Sequence, residues 1–102
     1  MTNEQNALIC RRLCGYEVQV SPAGKHYIVT DEGTRVMPDF EVCAAETLST
    51  VEALCKSRGL FLEIYFTCDG RYCAELSDKK AFGPTITFAL AHCLLQIAEG
   101  EE

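Results

Sequence analysis

A chain of 102 residues accommodates one domain and not two, and its 48% hydrophobic and 24% charged content is that of a globular protein, not a disordered one. Fifteen acidic side chains against nine basic ones leave a net charge of −6, which argues against a grip on nucleic acid through clustered lysines and arginines. No apolar run approaches the ~20 residues that cross a bilayer, and the opening Met1-Thr2-Asn3-Glu4-Gln5-Asn6 has neither the basic nor the apolar part of a secretion signal.

In chain order, residues 4–14 carry Ala7, Leu8, Cys10, Leu13 and Cys14 at helical spacing, with Gly15 placed to stop the helix. Tyr16 to Val20 and His26 to Thr30, separated by Pro22 and Gly24, predict a β-hairpin, and Thr34 to Cys43 predicts an irregular connection. Ser49 and Glu52 have capping-box spacing, so a second helix is expected from about Ser49 to Arg58. Leu48, Val51, Leu54 and Cys55 would form its apolar stripe, and Gly59 its end. Leu60 to Thr67 is the strongest strand, Asp69-Gly70 reads as a two-residue turn, and Arg71 to Leu76 returns. In that register Phe66 opposes Cys73. Apolar residues then fall on both faces, Leu60, Leu62, Ile64 and Phe66 on one and Phe61, Tyr65 and Tyr72 on the other. Such a pattern predicts a sheet covered on both sides. A last helix from about Pro84 to Ala98 has Ile86, Leu90, Cys93, Leu94 and Ile97 as its stripe, and residues 98–102 are expected to fray. The fold class that follows is α+β, a single domain over 1–102 in the order α-β-β-α-β-β-α. Its four-stranded, mainly antiparallel sheet would be layered between helices.

Three stretches resemble the phage ABA sandwich domain, a family of small phage and prophage proteins. They are the N-terminal helix running into a Gly-aromatic strand (Ala7 to Val18), the strand pair turning at Asp69-Gly70 with Tyr72 just after it, and the Pro-initiated, Ala-rich closing helix from Gly83 to Leu95. The resemblance implies a sheet layered between helices, a phage or prophage origin and an accessory role. It brings no catalytic or ligand residues with it.

Seven cysteines, an odd number, fit a reducing cytoplasm in which they serve as small core residues. A Cys–His nucleophile is conceivable with His26 or His92, but no local signature supports one, and no serine lies in a G-x-S-x-G elbow. The reading is therefore of a non-enzyme without a cofactor. Cys68 and Cys73 bracket the turn and share a face in the register above, yet His92 and Cys93 make a poor second pair for zinc, so no metal is expected. The most suggestive segment is the basic, glycine-containing run into the last helix, where Lys79, Lys80, Gly83, Thr85 and Thr87 could hold an anion while Phe82 or Tyr72 stacks on a base. An ordinary capped helix after a solvated loop explains the same residues.

Three functions remain open. The first is a cytoplasmic protein that occludes a host protein such as a defence nuclease, as anti-CRISPR proteins do, with Glu17, Asp31, Glu32, Asp69 and Glu75 meeting a basic groove. The second is a sponge for a phosphorylated nucleotide signal, held at the basic segment. The third is a phage assembly protein that associates with its own copies. Direct nucleic-acid or membrane binding is not expected in any of them.

Overall fold

A computed structural model describes residues 1–101 as an α+β fold of three helices and six strands. The elements are α1 (Asn3–Arg12), β1 (Glu17–Val20), β2 (His26–Thr30), β3 (Gly33–Val36), α2 (Ala44–Arg58), β4 (Leu62–Phe66), β5 (Tyr72–Leu76), β6 (Lys79–Gly83) and α3 (Ile86–Gly100). The strands form two separate antiparallel sheets, β1-β2-β3 and β4-β5-β6, and not the single four-stranded sheet that the sequence predicts. Two strands account for the difference. β3 lies in the stretch expected to be irregular, and β6 occupies the basic run expected to be a loop.

The layering is also inverted. α3 sits at the centre, against β5 and β6 of the second sheet and against α1 and α2. Ala89, Leu90, Ala91, Cys93, Leu94, Leu95 and Ala98 are all buried, and at 100° per residue they cover about two-thirds of the helix circumference, leaving a narrow flank with His92, Gln96 and the exposed Glu99. An apolar surface that wide exceeds the stripe of a helix lying on the outside and belongs inside. Of the predicted stripe, Leu90, Cys93 and Leu94 are buried, Ile97 is partly so and Ile86 is exposed; Ala91 and Leu95, outside it, are buried as well, and the helix takes the middle position expected for the sheet.

The first two helices show why their boundaries moved. Thr2 and Gln5 cap α1 reciprocally: the Gln5 amide donates to Thr2 Oγ1 at 3.1 Å, and the Thr2 amide donates to Gln5 Oε1 at 2.9 Å. α2 starts five residues before Ser49, so the Ser49–Glu52 spacing caps nothing, and Glu52 instead pairs with Lys56 at 2.7 Å. The buried face of α2 is Thr47, Thr50, Val51 and Leu54, and Leu48 is exposed. Two threonines can be interior because their hydroxyls donate to backbone carbonyls, Thr47 to Phe40 at 2.6 Å and Thr50 to Glu46 at 2.8 Å. Of the tail expected to fray, residues up to Gly100 belong to α3. The Glu101 carbonyl accepts from Arg12, and the Glu101 carboxylate pairs with Arg58. Residue 102 lies outside the described residues.

A carboxylate ties the connection before α2 to the central helix. Glu41 accepts from the His92 ring at 2.6 Å and from the Met1 ammonium, while the His92 ring stacks on Phe88. Burial alone would raise the Glu41 carboxyl, but the bonds from Met1 and His92 outweigh it and hold the group below the ordinary carboxylate value. A folded value below the unfolded one stabilises fully above the unfolded value, ~4.3, and this contribution is lost as pH falls through the folded value. Glu41→Gln is therefore expected to lower the Tm near neutrality, with the gap to wild type closing as the pH drops from about 6 to about 3. Thermal unfolding followed by circular dichroism across that range checks it.

Candidate functional site

The two faces of the β4-β5-β6 sheet differ sharply. On one, Ala74, Leu76 and Ala81 are buried under α3. Side chains alternate along each strand, so Glu63 and Tyr65 of β4, Cys73 and Glu75 of β5, and Lys80 and Phe82 of β6 share the opposite face. None of the three helices packs there, and the cover expected on both sides is missing. Tyr65 and Phe82 flank Cys73 on neighbouring strands, are 43% and 42% exposed, and leave Cys73 only 2% exposed beneath them.

Charges frame these rings. The Arg71 guanidinium lies 4.9 Å from the Phe82 ring centre and the Lys80 ammonium 5.7 Å from it. The Tyr65 hydroxyl donates to Glu63 and lies 3.3 Å from Glu75. Donation to Glu63, with a smaller effect of burial and the nearby carboxylates of Glu63 and Glu75, pushes the phenol up to about 12. Tyr65 therefore stays neutral and serves as a donor. The result is two rings between a cationic flank and an anionic one, on a rigid three-stranded support.

The turn expected at Asp69-Gly70 differs by one residue, and that shift sets which rings share the face. The Thr67 amide donates to the Arg71 carbonyl at 2.7 Å, so the loop is Cys68-Asp69-Gly70, with Gly70 at φ +86° in the left-handed position such three-residue loops require. Phe66 now opposes Tyr72, and Tyr65 opposes Cys73. Cys68 is left in the exposed loop while Cys73 is buried in the sheet. Among the described residues no group of three or more His, Cys, Asp or Glu is placed to hold a metal ion.

The residues predicted to hold an anion are spread along an element instead of converging. Lys79 and Lys80 open β6 and point to opposite faces, and the strand carries them away from Thr85 and Thr87 at ~3.3 Å per residue. Lys80 joins Phe82 on the bare face, whereas Tyr72 and Gly83 lie in one row of the other face. The Thr85 hydroxyl accepts from the Phe88 amide at 3.1 Å and caps α3. Gly83 has a packing reason: the Phe88 ring occupies the space that a side chain at this position would need. Gly83→Val is therefore expected to destabilise the fold by about 1–3 kcal/mol through overpacking, measured as a lower urea midpoint.

Among the described residues no cysteine is hydrogen-bonded to a histidine. His92 binds Glu41, and its neighbour Cys93 turns inward to donate to the Ala74 carbonyl at 3.3 Å. Burial pushes the Cys93 thiol up to about 11 and the Cys10 thiol up to about 12, which disfavours the reactive thiolate. Phe40, in the connection between β3 and α2, is fully buried. The five candidate acids divide between the sheets. Glu17, Asp31 and Glu32 lie on or beside the first, while Asp69 and Glu75 belong to the second, where Asp69 is held by Arg71 at 2.9 Å. Among the described residues no helix is long and apolar enough to cross a membrane.

Comparison with protein-family models, with curated proteins and with solved structures finds no match to this chain. The layered sheet that the phage-family resemblance implies is also not the layering observed.

Proposed function

We propose that the chain is a binding protein with no reaction of its own, and that the bare face of β4-β5-β6 is its working surface. The observation that carries this reading is the pair of half-exposed rings, Tyr65 and Phe82, with Arg71 beside them on an uncovered sheet. Tyrosine, phenylalanine and arginine are the residue types enriched in the energetic centres of protein interfaces, and a charged rim around them is the usual surround. A support of hydrogen-bonded strands keeps the ordering penalty of binding small. The partner in this reading is a host protein of the bacterial cytoplasm that the domain occludes, as an accessory protein of phage or prophage origin would. The net charge of −6 favours a target with a basic groove, such as a defence nuclease.

Affinity capture from bacterial lysate tests the reading. The tagged wild type should retain a discrete protein, and the double variant Phe82→Ala with Arg71→Glu should weaken that retention ~30-fold, the effect of losing about 2 kcal/mol at an interface centre. Both substitutions are at exposed positions, so the variant should unfold at a temperature close to that of the wild type. Unchanged retention would defeat the proposal. An absorbance near 260 nm released from the purified protein on denaturation would support capture of a phosphorylated nucleotide instead.

A further inference from the structure

We infer that the outer edge of β4 pairs antiparallel with the same edge of a second copy of this chain, about a two-fold axis at Ile64, joining two three-stranded sheets into one of six strands. β4 is a terminal strand of its sheet, and every one of its five residues is exposed. Its ladder to β5 includes the bonds from the Thr67 amide to Arg71 and from the Ser77 amide to the Phe61 carbonyl. Antiparallel bonding alternates, so Glu63 and Tyr65 bond inward to β5, and the N–H and C=O groups of Leu62, Ile64 and Phe66 point away from the sheet.

Sheet edges in this fold are not treated alike. The opposite edge, β6, carries Lys79 and Lys80, and the Lys80 carbonyl accepts from Gln96 of α3 at 2.8 Å. Charged residues and a covering helix are the usual protection of an edge. β4 reads Leu-Glu-Ile-Tyr-Phe, and α3 lies over β5 and β6. Ile64 is 41% exposed and Phe66 67%, on the same face as the buried Ala74 and Leu76.

The strand is its own complement. An axis at Ile64 sets Leu62 beside the partner's Phe66, Ile64 beside the partner's Ile64, and Glu63 beside the partner's Tyr65. The apolar side chains then meet on the α3 side, where cross-strand pairs of this kind are favourable. Each Glu63 carboxylate meets a neutral Tyr65 hydroxyl, which already donates to a carboxylate within one chain. The outward backbone groups coincide in the same register, giving about six new hydrogen bonds. Moving the axis to Glu63 would set the two carboxylates face to face. Moving it to Tyr65 would push Leu62 against the partner's turn. Charge and apolar pairing therefore select the register at Ile64, and a two-fold pair closes on itself and leaves no β4 edge free. The pairing also sets two copies of the Tyr65–Phe82 face side by side.

Sedimentation velocity with multi-angle scattering, over concentrations on the order of 1–100 μM, should read twice the 11.3 kDa of one chain. Ile64→Lys should return the mass to that of the single chain, a weakening of at least ~100-fold. Tyr65→Glu should also weaken the pair by setting carboxylates together, and adding Glu63→Lys to it should restore the dimer, since opposite charges then meet across the axis. A wild type that stays monomeric at the top of the range would overturn the inference. So would a dimer indifferent to Ile64→Lys, or a Tyr65→Glu loss that Glu63→Lys does not rescue. Partner capture by the bare face is read through Phe82 and Arg71, so failure of the dimer and failure of the binding reading remain separate results.

Discussion

Phe40→Ala is expected to destabilise the domain by about 3–5 kcal/mol, the range for removing a fully buried aromatic ring. Phe40 is the largest of the completely buried side chains, and the segment that carries it, between β3 and α2, has no regular structure of its own. Two side chains from different helices hold its backbone. Asn6 Oδ1 of α1 accepts from the Phe40 amide at 3.1 Å, and the Thr47 hydroxyl of α2 donates to the Phe40 carbonyl at 2.6 Å. Asn6 is 3% exposed and Thr47 is fully buried. The backbone is thus tied to both α1 and α2 beside a fully buried ring, and the surroundings have little freedom to collapse into the space the ring would leave. A total stability of ~5–15 kcal/mol for a domain makes this loss a large share of the whole. Urea unfolding followed by circular dichroism should show the midpoint fall steeply, while Val42→Ala, two residues on and exposed, should stay within ~0.5 kcal/mol of wild type. A small effect at Phe40 would mean that the connection is not part of the core.

The second large effect belongs to α3. Leu94→Ala and Leu95→Ala are each expected to destabilise by about 2–5 kcal/mol. The pair is informative because neighbouring helix positions point ~100° apart. An amphipathic helix on the outside of a sheet would bury Leu94 and tolerate the loss of Leu95. Here Leu94 is completely buried and Leu95 is 6% exposed, because sheet and helices both surround α3. Equal losses at both positions in urea unfolding support the central placement. A loss confined to Leu94 would return the helix to the surface.

Several features of the site were legible in advance, and each of them is a local signal. The Asp69-Gly70 turn, the strands on either side of it and the Pro84-Thr85 entry to the last helix all stand in the predicted segments. The one-residue slip at the turn was less visible, because Asp-Gly suits both a two-residue loop and a three-residue loop with its glycine in the left-handed region. That slip decides whether Tyr65 or Phe66 stands across from Cys73. β6 is not legible in the sequence because Lys79-Lys80 has the pattern of a solvated run, yet edge strands are where lysines belong. β3 was hidden for a similar reason: Gly33-Thr34-Arg35-Val36 is short, exposed and close to Pro38. The buried face of α2 differs from the predicted stripe because threonine counts as polar until a carbonyl is found for its hydroxyl.

By itself the sequence determined the α+β class, the three helices, the positions of four strands and the absence of a long apolar span, since all of these follow from periodicity, turn chemistry and composition within short windows. It also held the sign of the central helix in Ala89-Leu90-Ala91 and Cys93-Leu94-Leu95, two apolar triplets that no single stripe accommodates. Only the tertiary structure decided that the strands form two sheets, that α3 separates one of them from the other helices, and that β4 and the Tyr65–Phe82 face remain uncovered. Those outcomes depend on which surface each element finds to bury against. That choice is a competition among distant segments for the same apolar area, and no local pattern records who wins it.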